Sequence, residues 1–252
     1  MNSAVIMKQV PDTEAQIKLS PDGTGYVKEG VKFVMNPYDE YGVEEALKIK
    51  EAAGSGEVTI ISLGPDRVVE SIRTGLAMGA DKGVLLKADE NYPCALGIAK
   101  ALAEELKAGD YKLIFCGKQA IDDDMAQVGP MVAELMDIPC VTVVTNVEIS
   151  GDKAVLTREI EGGKEIVEVA LPAVIACQKG LNEPRYASLP GIMKAKKKPL
   201  EQKDISIEDA KVEIVKWEAP PERPPGRIID GDDAAVKAAA LVKALREEAK
   251  VI

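Results

Sequence analysis

The sequence contains no histidine, few cysteines and no long apolar run. Because the 252 residues include no imidazole side chain, Ser-His-Asp triads, Cys-His dyads and histidine metal ligands are excluded. The four cysteines form no C-x-x-C pair, which argues against an iron–sulfur cluster or a structural zinc site, and Cys116 and Cys177 are expected as buried thiols. No apolar run reaches the roughly 18 residues of a membrane span. We therefore expect no membrane insertion and a reducing, cytoplasmic location.

Basic residues are also scarce relative to acidic ones. The 32 Lys and Arg residues against 42 Asp and Glu residues give a net charge of −10 (32 − 42), which disfavours nucleic acid and anionic membranes as partners. Apolar side chains make up 46% of the chain, so a full core can form without metal ions or disulfides. The length suits one large domain with an appended arm.

Buried-strand runs and amphipathic helices alternate over the first two-thirds of the chain, from Ala4–Met7 to Val141–Val144. This alternation predicts an α/β fold with an open, mostly parallel Rossmann-like sheet and helices on both faces. Turn residues after position 145 predict a small antiparallel meander. We expect a nucleotide-binding domain over residues 1–200, which includes the meander and a later loop at about 145–196, and a C-terminal arm over residues 201–252.

The C-terminal arm combines a proline-rich linker, Pro220–Pro225, with a helix from about Asp232 to Lys250. The apolar stripe of this helix needs a surface to cover it. A stiff linker lets the helix reach a partner chain as easily as its own domain. Packing on a partner chain is the favoured expectation, and folding back on its own domain is the alternative.

Ligands of open parallel sheets bind where the strands end. Three loops lie at such ends: Lys8–Asp12, Gly64-Pro65 and Gly117–Pro130. Neither a G-x-G-x-x-G fingerprint nor a G-x-x-x-x-G-K-[ST] loop is present, so dinucleotide dehydrogenases and P-loop enzymes lose their main support. Free amides of a helix that starts near Asp124 favour a phosphate, whereas three consecutive aspartates would repel it unless they cap the helix or accept from ribose and adenine. Lys8 is either a phosphate ligand or a solvated charge.

Several segments in the same order resemble the beta subunit of electron-transfer flavoproteins over nearly the whole chain. The segments are Lys8–Asp12, Met35–Glu40, Ile72–Asp81, Gly117–Pro130, Arg158–Gly163, Leu171–Val174 and Leu181–Lys196. The resemblance implies the adenine-nucleotide alpha-hydrolase-like form of the fold. It also implies a heterodimer in which the alpha subunit holds a redox FAD and packs against the C-terminal arm.

The resemblance further implies that the beta subunit binds its own nucleotide, either AMP or a second FAD. The cofactor-binding residues carried over by position are Ile6, Met7, Lys8, Asn36, Asp39, Leu63, Gly64, Gly117, Lys118, Gln119, Ile121, Asp122, Asp124, Ala126, Gln127, Val128, Gly129, Pro130 and Met131. No residue is assigned as a catalytic acid or base, and no metal ligand is assigned.

Partner-binding residues follow from the same resemblance. Leu189 matches the anchor leucine of a recognition loop that docks a flavin dehydrogenase, and Pro184 and Tyr186 belong to that loop. An exposed leucine between prolines suits an apolar pocket on a partner, although without the resemblance a core leucine would be preferred. Glu159 matches a glutamate linked to movement of the flavin domain. Thr13 would lie near the alpha-subunit flavin.

The choice between FAD and AMP rests on a few positions. Conventional members typically carry Asn-Gln-Thr-Gly-Gln where this chain has Ala126–Pro130, and many place a tyrosine near Thr13. Both differences resemble the electron-bifurcating group, which binds FAD, and Ala126 and Val128 remove two polar groups that would cap a monophosphate. On the other side, Asp122–Asp124 and the segment from Asn182 to Lys196 resemble conventional members. FAD is the favoured expectation and AMP the alternative.

For the bifurcating group, the resemblance implies an electron-carrier subunit that oxidises NADH only as part of its complex. The hydride of NADH passes to the beta FAD, one electron goes to the alpha flavin and a dehydrogenase, and the other goes to ferredoxin or flavodoxin. Two rivals belong to other classes: a stand-alone universal-stress-type adenine-nucleotide-binding protein, and an ATP-using adenylating enzyme. The first leaves the segment from Asn182 to Lys196 unexplained, and the second normally has a glycine-rich pyrophosphate loop.

Overall fold

The computed structural model describes four stretches of the chain: residues 1–89, 94–207, 211–223 and 225–252. They divide into two compact units, Met1–Trp217 and Glu218–Ile252. The sequence predicts a division after residue 200, whereas the division of the structure follows Trp217. The reason is that the strand Leu200–Asp204 pairs with the main sheet and keeps the following residues with the larger unit.

The larger unit is built from the following strands and helices. The strands are β1 (Ser3–Ile6), β2 (Gln9–Pro11), β3 (Phe33–Met35), β4 (Val58–Gly64), β5 (Lys82–Lys87), β6 (Leu113–Gly117), β7 (Cys140–Ser150), β8 (Lys153–Ile160), β9 (Gly163–Ala170), β10 (Ala173–Cys177) and β11 (Leu200–Asp204). The helices are α1 (Pro37–Ala53), α2 (Val68–Met78), α3 (Ala95–Lys107), α4 (Val128–Met136) and α5 (Leu189–Ala195).

Nine strands form one sheet in the order β11-β5-β4-β1-β6-β10-β7-β8-β9. The pairs from β11 to β7 are parallel, and the pairs β7-β8 and β8-β9 are antiparallel. Strands β2 and β3 make a separate antiparallel pair. The predicted open, mostly parallel sheet with a small antiparallel meander is confirmed.

Helices cover both faces of the sheet, as predicted. Alternate residues of β1 point to opposite faces, so Val5 joins one core while Ala4 and Ile6 join the other. Helices α1 and α2 pack on the first face, and α3 and α4 pack on the second. Cys177 lies in the first core and Cys116 in the second, and both are buried free thiols, as expected.

The meander continues the main sheet, because one long strand belongs to both parts. The sequence predicts separate strands at Val141–Val144 and Val147–Ile149, whereas the structure has the single strand β7. Its first half pairs with β10 and its second half with β8, with register shifts where the partner changes. Val143 lies at this change with a φ of 62°, which is left-handed and strained for a β-branched residue.

The starts of helices α1 and α4 can be compared with the helix starts that the sequence predicts. Helix α1 begins after the N-cap residue Asn36 with proline at its first position, and it ends at Gly54 with a φ of 65°, as its end signals predict. The prediction that a helix starts near Asp124 is wrong, because α4 begins at Val128. Asp124 and Ala126 have φ values of 52° and 53°, which do not continue into a helix.

The sequence predicts a third helix from Tyr92 to Leu106, and its start lies outside the described residues, as does Pro224 of the predicted linker. The smaller unit contains α6 (Ala234–Lys243) followed by a π-helical segment, Ala244–Ala249. Asp233 caps α6, because its side chain accepts a hydrogen bond from the Val236 amide. No helix among the described residues has both the length and the hydropathy to cross a membrane.

Candidate functional site

The strand order creates a switch point between β1 and β6. From β1 the chain proceeds to β4 and β5 on one side of the sheet, and it then returns to β6 on the other side. In this type of sheet the usual ligand position is the carboxyl edge at such a switch point. We call the region between the loops that follow β1 and β6 the crevice. Lys8 follows β1, and Gly117 ends β6.

Asn36 ties the start of α1 to the loop after β6. It occupies the N-cap position, but its side chain does not cap the helix. Instead, its amide nitrogen donates to the Gln119 carbonyl at 2.9 Å, and its amide oxygen accepts from the Ile121 amide at 3.3 Å. The buried Asn36 thus fixes a loop that lies more than 80 residues later in the sequence.

Asp39 forms the base of the crevice. Its carboxylate accepts the backbone amide of Lys8 at 2.7 Å and that of Gly117 at 2.7 Å. Only 4% of the residue is exposed. Burial raises the pKa of Asp39 to about 7, although the Lys8 and Gly117 amides and the Asn36 side chain act to lower it.

The three consecutive aspartates Asp122–Asp124 do not cap a helix, and two of them bind Lys8. The Lys8 ammonium donates to Asp122 Oδ1 and Asp123 Oδ2 at 2.8 Å each, and the Gln119 amide donates to Asp124 at 2.5 Å. Burial acts to lower the pKa of Lys8, but the two carboxylates outweigh it and the pKa is raised. The sequence offered two roles for Lys8, a phosphate ligand or a solvated charge. The structure shows a third arrangement, in which the ammonium is paired with two carboxylates.

The N-terminus of α4 follows the loop after β6 and has no side-chain cap. Its N-cap residue, Gln127, is exposed and makes no capping hydrogen bond. Gly129 allows the helix to approach the sheet, because a Cβ there would lie 2.7 Å from the Cys116 sulfur. Uncapped first-turn amides at the positive end of a helix dipole favour an anion such as a phosphate.

The remaining predicted cofactor-binding residues lie along the same edge. Ile6 and Met7 end and follow β1 and are buried, and Met7 accepts a hydrogen bond from Ser62 at 2.6 Å through its carbonyl. Leu63 and Gly64 end β4. The rest of the set lies in the loop after β6 or in the first turn of α4: Lys118, Ala126, Val128, Pro130 and Met131.

One residue of this edge was missed by sequence reasoning. The Lys118 ammonium lies 5.2 Å from the centre of the Tyr38 ring, close enough for a cation–π interaction. The available signal was the position of Tyr38 within Met35–Glu40, one of the segments that carry the family resemblance.

The predicted partner-binding residues lie elsewhere. Leu189 begins α5 and is 74% exposed, and Tyr186 is 98% exposed. A Cβ at Gly191 would meet the carbonyl of Ala77, near the C-terminal end of α2, so α5 lies towards the opposite end of the sheet from the crevice. We call residues 182–196 the docking segment.

The docking segment is anchored to α1. The Arg185 guanidinium donates to Glu44 at 2.8 and 2.9 Å and to Glu51 at 2.6 and 3.1 Å. The Asn182 amide donates to the Tyr41 carbonyl and to Glu45 at 3.0 and 2.9 Å.

The other predicted partner residues differ in exposure. Pro184 is half-buried, and Thr13 is exposed. Glu159 is exposed near the end of β8 and accepts a hydrogen bond from Gln178 at 3.2 Å.

Comparisons with known proteins agree with one another. The family described as "Electron transfer flavoprotein domain" matches residues 24–208. The electron transfer flavoprotein subunit beta of Bacillus subtilis is 42% identical over the whole length of both chains, and the mitochondrial subunit beta of Arabidopsis thaliana is 43% identical over the same coverage. The subunit beta of Mus musculus is 42% identical over 90% of this chain and 91% of its own. With matches of this extent, the chain belongs to the beta-subunit family of electron transfer flavoproteins.

Proposed function

We propose that this chain is the beta subunit of a heterodimer and that it holds an adenine nucleotide in the crevice between β1 and β6. The observation that carries the proposal is the uncapped N-terminus of α4 at the switch point of the sheet. The residues fit such a ligand, because that helix supplies amide donors for phosphate, while carboxylates of the neighbouring loop can accept from ribose hydroxyls. A cytoplasmic location belongs to the same proposal.

Each part of the crevice has a separate task in this proposal. The first turn of α4 binds phosphate, and Asn36 keeps the loop at Gln119 and Ile121 in place. Lys8 orders Asp122 and Asp123, so that these carboxylates do not project freely towards a phosphate. The chain thus reduces the repulsion that an acidic triplet would otherwise exert on an anion.

We propose FAD as the nucleotide, in an electron-bifurcating complex. Ala126 and Val128 carry no polar side chain, and none caps α4, which leaves room for a diphosphate that continues to a flavin ring. When bound, FAD supplies hydride acceptance from NADH and electron transfer to the alpha-subunit flavin and to a low-potential carrier such as ferredoxin or flavodoxin. The docking segment, with Leu189 and Tyr186 exposed, binds the dehydrogenase.

AMP is the second candidate, and one contact favours it. The Lys8 ammonium is already paired with two carboxylates, so the crevice offers less positive charge than a second phosphate would use. In that case the chain is a conventional electron-carrier subunit in which AMP has a structural role.

The experiment is to purify the complex with its alpha subunit, denature it, and count FAD and AMP per heterodimer. Two FAD and no AMP support the bifurcating proposal. One FAD and one AMP support the conventional candidate. One FAD with no second nucleotide contradicts both.

A pair of asparagine variants tests the position of the ligand. Asn36→Ala removes both contacts to the loop after β6 and should lower the nucleotide content of the beta subunit while the alpha-subunit flavin is retained. Asn146→Ala is the control, because that exposed side chain contacts Glu148 in the meander. Equal nucleotide content in the two variants would contradict the assigned site.

A further inference from the structure

We propose that Asp39 is a positioning residue that holds the two strand ends of the crevice together in its ionised form, and that its protonation releases the nucleotide. The role rests on the proposed function, since it concerns the ligand of the same crevice. In this proposal Asp39, one of the predicted cofactor-binding residues, is not a direct ligand, because only 4% of the residue is exposed. It acts through the main chain of Lys8 and Gly117.

The geometry places one carboxylate across the switch point. Oδ2 accepts the amide that follows β1, and Oδ1 accepts the amide at the end of β6, each at 2.7 Å. These amides belong to the two loops that form the walls of the crevice. A Cβ added at Gly117 would lie 2.6 Å from Asp39 Oδ1, so the strand end sits directly on the carboxylate. The separation of the two walls therefore depends on both oxygens acting as acceptors.

After protonation, the two oxygens of Asp39 can no longer both act as acceptors. A neutral carboxyl group carries one hydroxyl, which is a donor, so one oxygen then faces a backbone N–H with a hydrogen of its own. Either the Lys8 amide or the Gly117 amide loses its buried acceptor and must move to find another. Such a movement displaces Lys8 with the loop it orders, or the loop that leads to α4.

Burial places the pKa of Asp39 close to neutral pH, and it also raises the pKa of the neighbouring Glu40. The groups that face it are the Lys8 ammonium at the end of β1 and the thiols of Cys116 on β6 and Cys177 on β10. Burial raises the pKa of both thiols well above its usual value, and the pKa of Lys8 is also raised, so none of these three changes charge between pH 5 and 8. Burial brings the pKa of Asp39 to about 7.

Protonation of Asp39 should change the free energy of unfolding and the retention of the nucleotide in opposite directions. The folded protein binds the Asp39 proton more tightly than the unfolded chain does. This group therefore increases the free energy of unfolding as the pH falls from about 7 towards about 4, the ordinary pKa of an aspartate. Nucleotide retention should fall over the same range. A general acid-induced loosening of the fold would lower both quantities together.

The test uses the purified heterodimer and its own nucleotide. Samples are dialysed at steps from about pH 8.5 to about pH 5.5, and the retained FAD and AMP are counted after denaturation. We expect the affinity for the beta-site nucleotide to fall about tenfold, as the loss of one hydrogen bond to a charged group implies, so that the retained nucleotide decreases with a midpoint near pH 7. Asp39→Asn should hold the nucleotide weakly at every pH.

Asp81→Asn is the matched control, because Asp81 also accepts a backbone amide, that of Val58, at the opposite end of the sheet. This variant should retain the nucleotide with the same pH profile as the wild type. Retention by Asp39→Asn equal to that of the control, or a wild-type profile without a midpoint near pH 7, overturns the role. If the asparagine variant fails to fold, the wild-type profile still decides. A wild-type complex with no beta-site nucleotide at the highest pH contradicts the proposed function instead.

Discussion

Arg185→Ala should detach the docking segment from α1. The Arg185 guanidinium makes two hydrogen bonds to Glu44 and two to Glu51, and its main-chain amide donates to Glu44 at 3.1 Å. The Glu44 side chain is only 7% exposed, whereas that of Glu51 is 58% exposed. The loss therefore falls mainly on Glu44, which keeps its charge in a buried position with a single backbone donor.

The magnitude follows from that difference. Leaving a buried carboxylate without its cation costs about 3 kcal/mol, and the exposed Glu51 contact adds less than about 1 kcal/mol. We expect Arg185→Ala to lower the free energy of unfolding by about 3 kcal/mol. Adding Glu44→Gln should recover part of this loss, because the uncompensated charge is then removed.

The assay is denaturant unfolding of the heterodimer, followed by circular dichroism. Lys153→Ala is the control, since Lys153 pairs with Glu168 at 2.6 Å in the meander while both side chains are more than 50% exposed, and such pairs contribute about 0 to 1 kcal/mol. A loss for Arg185→Ala no larger than that of the control would refute the anchoring of the docking segment by a buried charge pair.

Three further outcomes are expected. Gly117→Ala should lower the nucleotide content and the free energy of unfolding, because its Cβ would lie 2.6 Å from the Asp39 carboxylate. Gly163→Ala is the control and should change neither, because its Cβ would meet nothing within 4 Å. Equal nucleotide content in the two variants would contradict this prediction. Val143→Gly should change the free energy of unfolding by less than about 1 kcal/mol, because relief of the left-handed φ offsets the entropy cost of glycine and the loss of a half-buried side chain, and a larger loss in denaturant unfolding would count against strain at that position. Leu189→Ala should weaken dehydrogenase binding, measured by calorimetry, without changing the melting temperature, because the side chain is 74% exposed.

The parts of the fold that depend on local signals were predictable. Asn36-Pro37 and Gly54 mark the two ends of α1 because caps and left-handed turns act within a few residues. The parallel order of the sheet follows from alternating strands and helices. The start of α4 was not predictable in this way, since the conformation around Asp124 depends on a loop whose carboxylates pair with Lys8, 114 residues away from Asp122.

The location of the site was predictable from the sequence, whereas the roles of its side chains were not. The strand ends that carry it can be located from the apolar runs, and most individual residues came from the family resemblance. The roles of particular side chains required the structure, because a sequence does not show which acid is buried. Asp39 and Asp122 are both aspartates among the predicted cofactor-binding residues, yet the first binds two backbone amides in the interior and the second pairs with the partly exposed Lys8 ammonium.

Helix α1 supports both of the regions to which we assign function. Its N-cap residue Asn36 and the first-turn residue Asp39 serve the crevice, and its later turns provide Glu44 and Glu51 for the docking segment. Residues 36 and 51 are about 22 Å apart along a helix that rises 1.5 Å per residue. The two regions therefore share one rigid element without sharing contacts. A change in the position of α1 displaces both at once, whereas loss of Arg185 alone should leave nucleotide content intact.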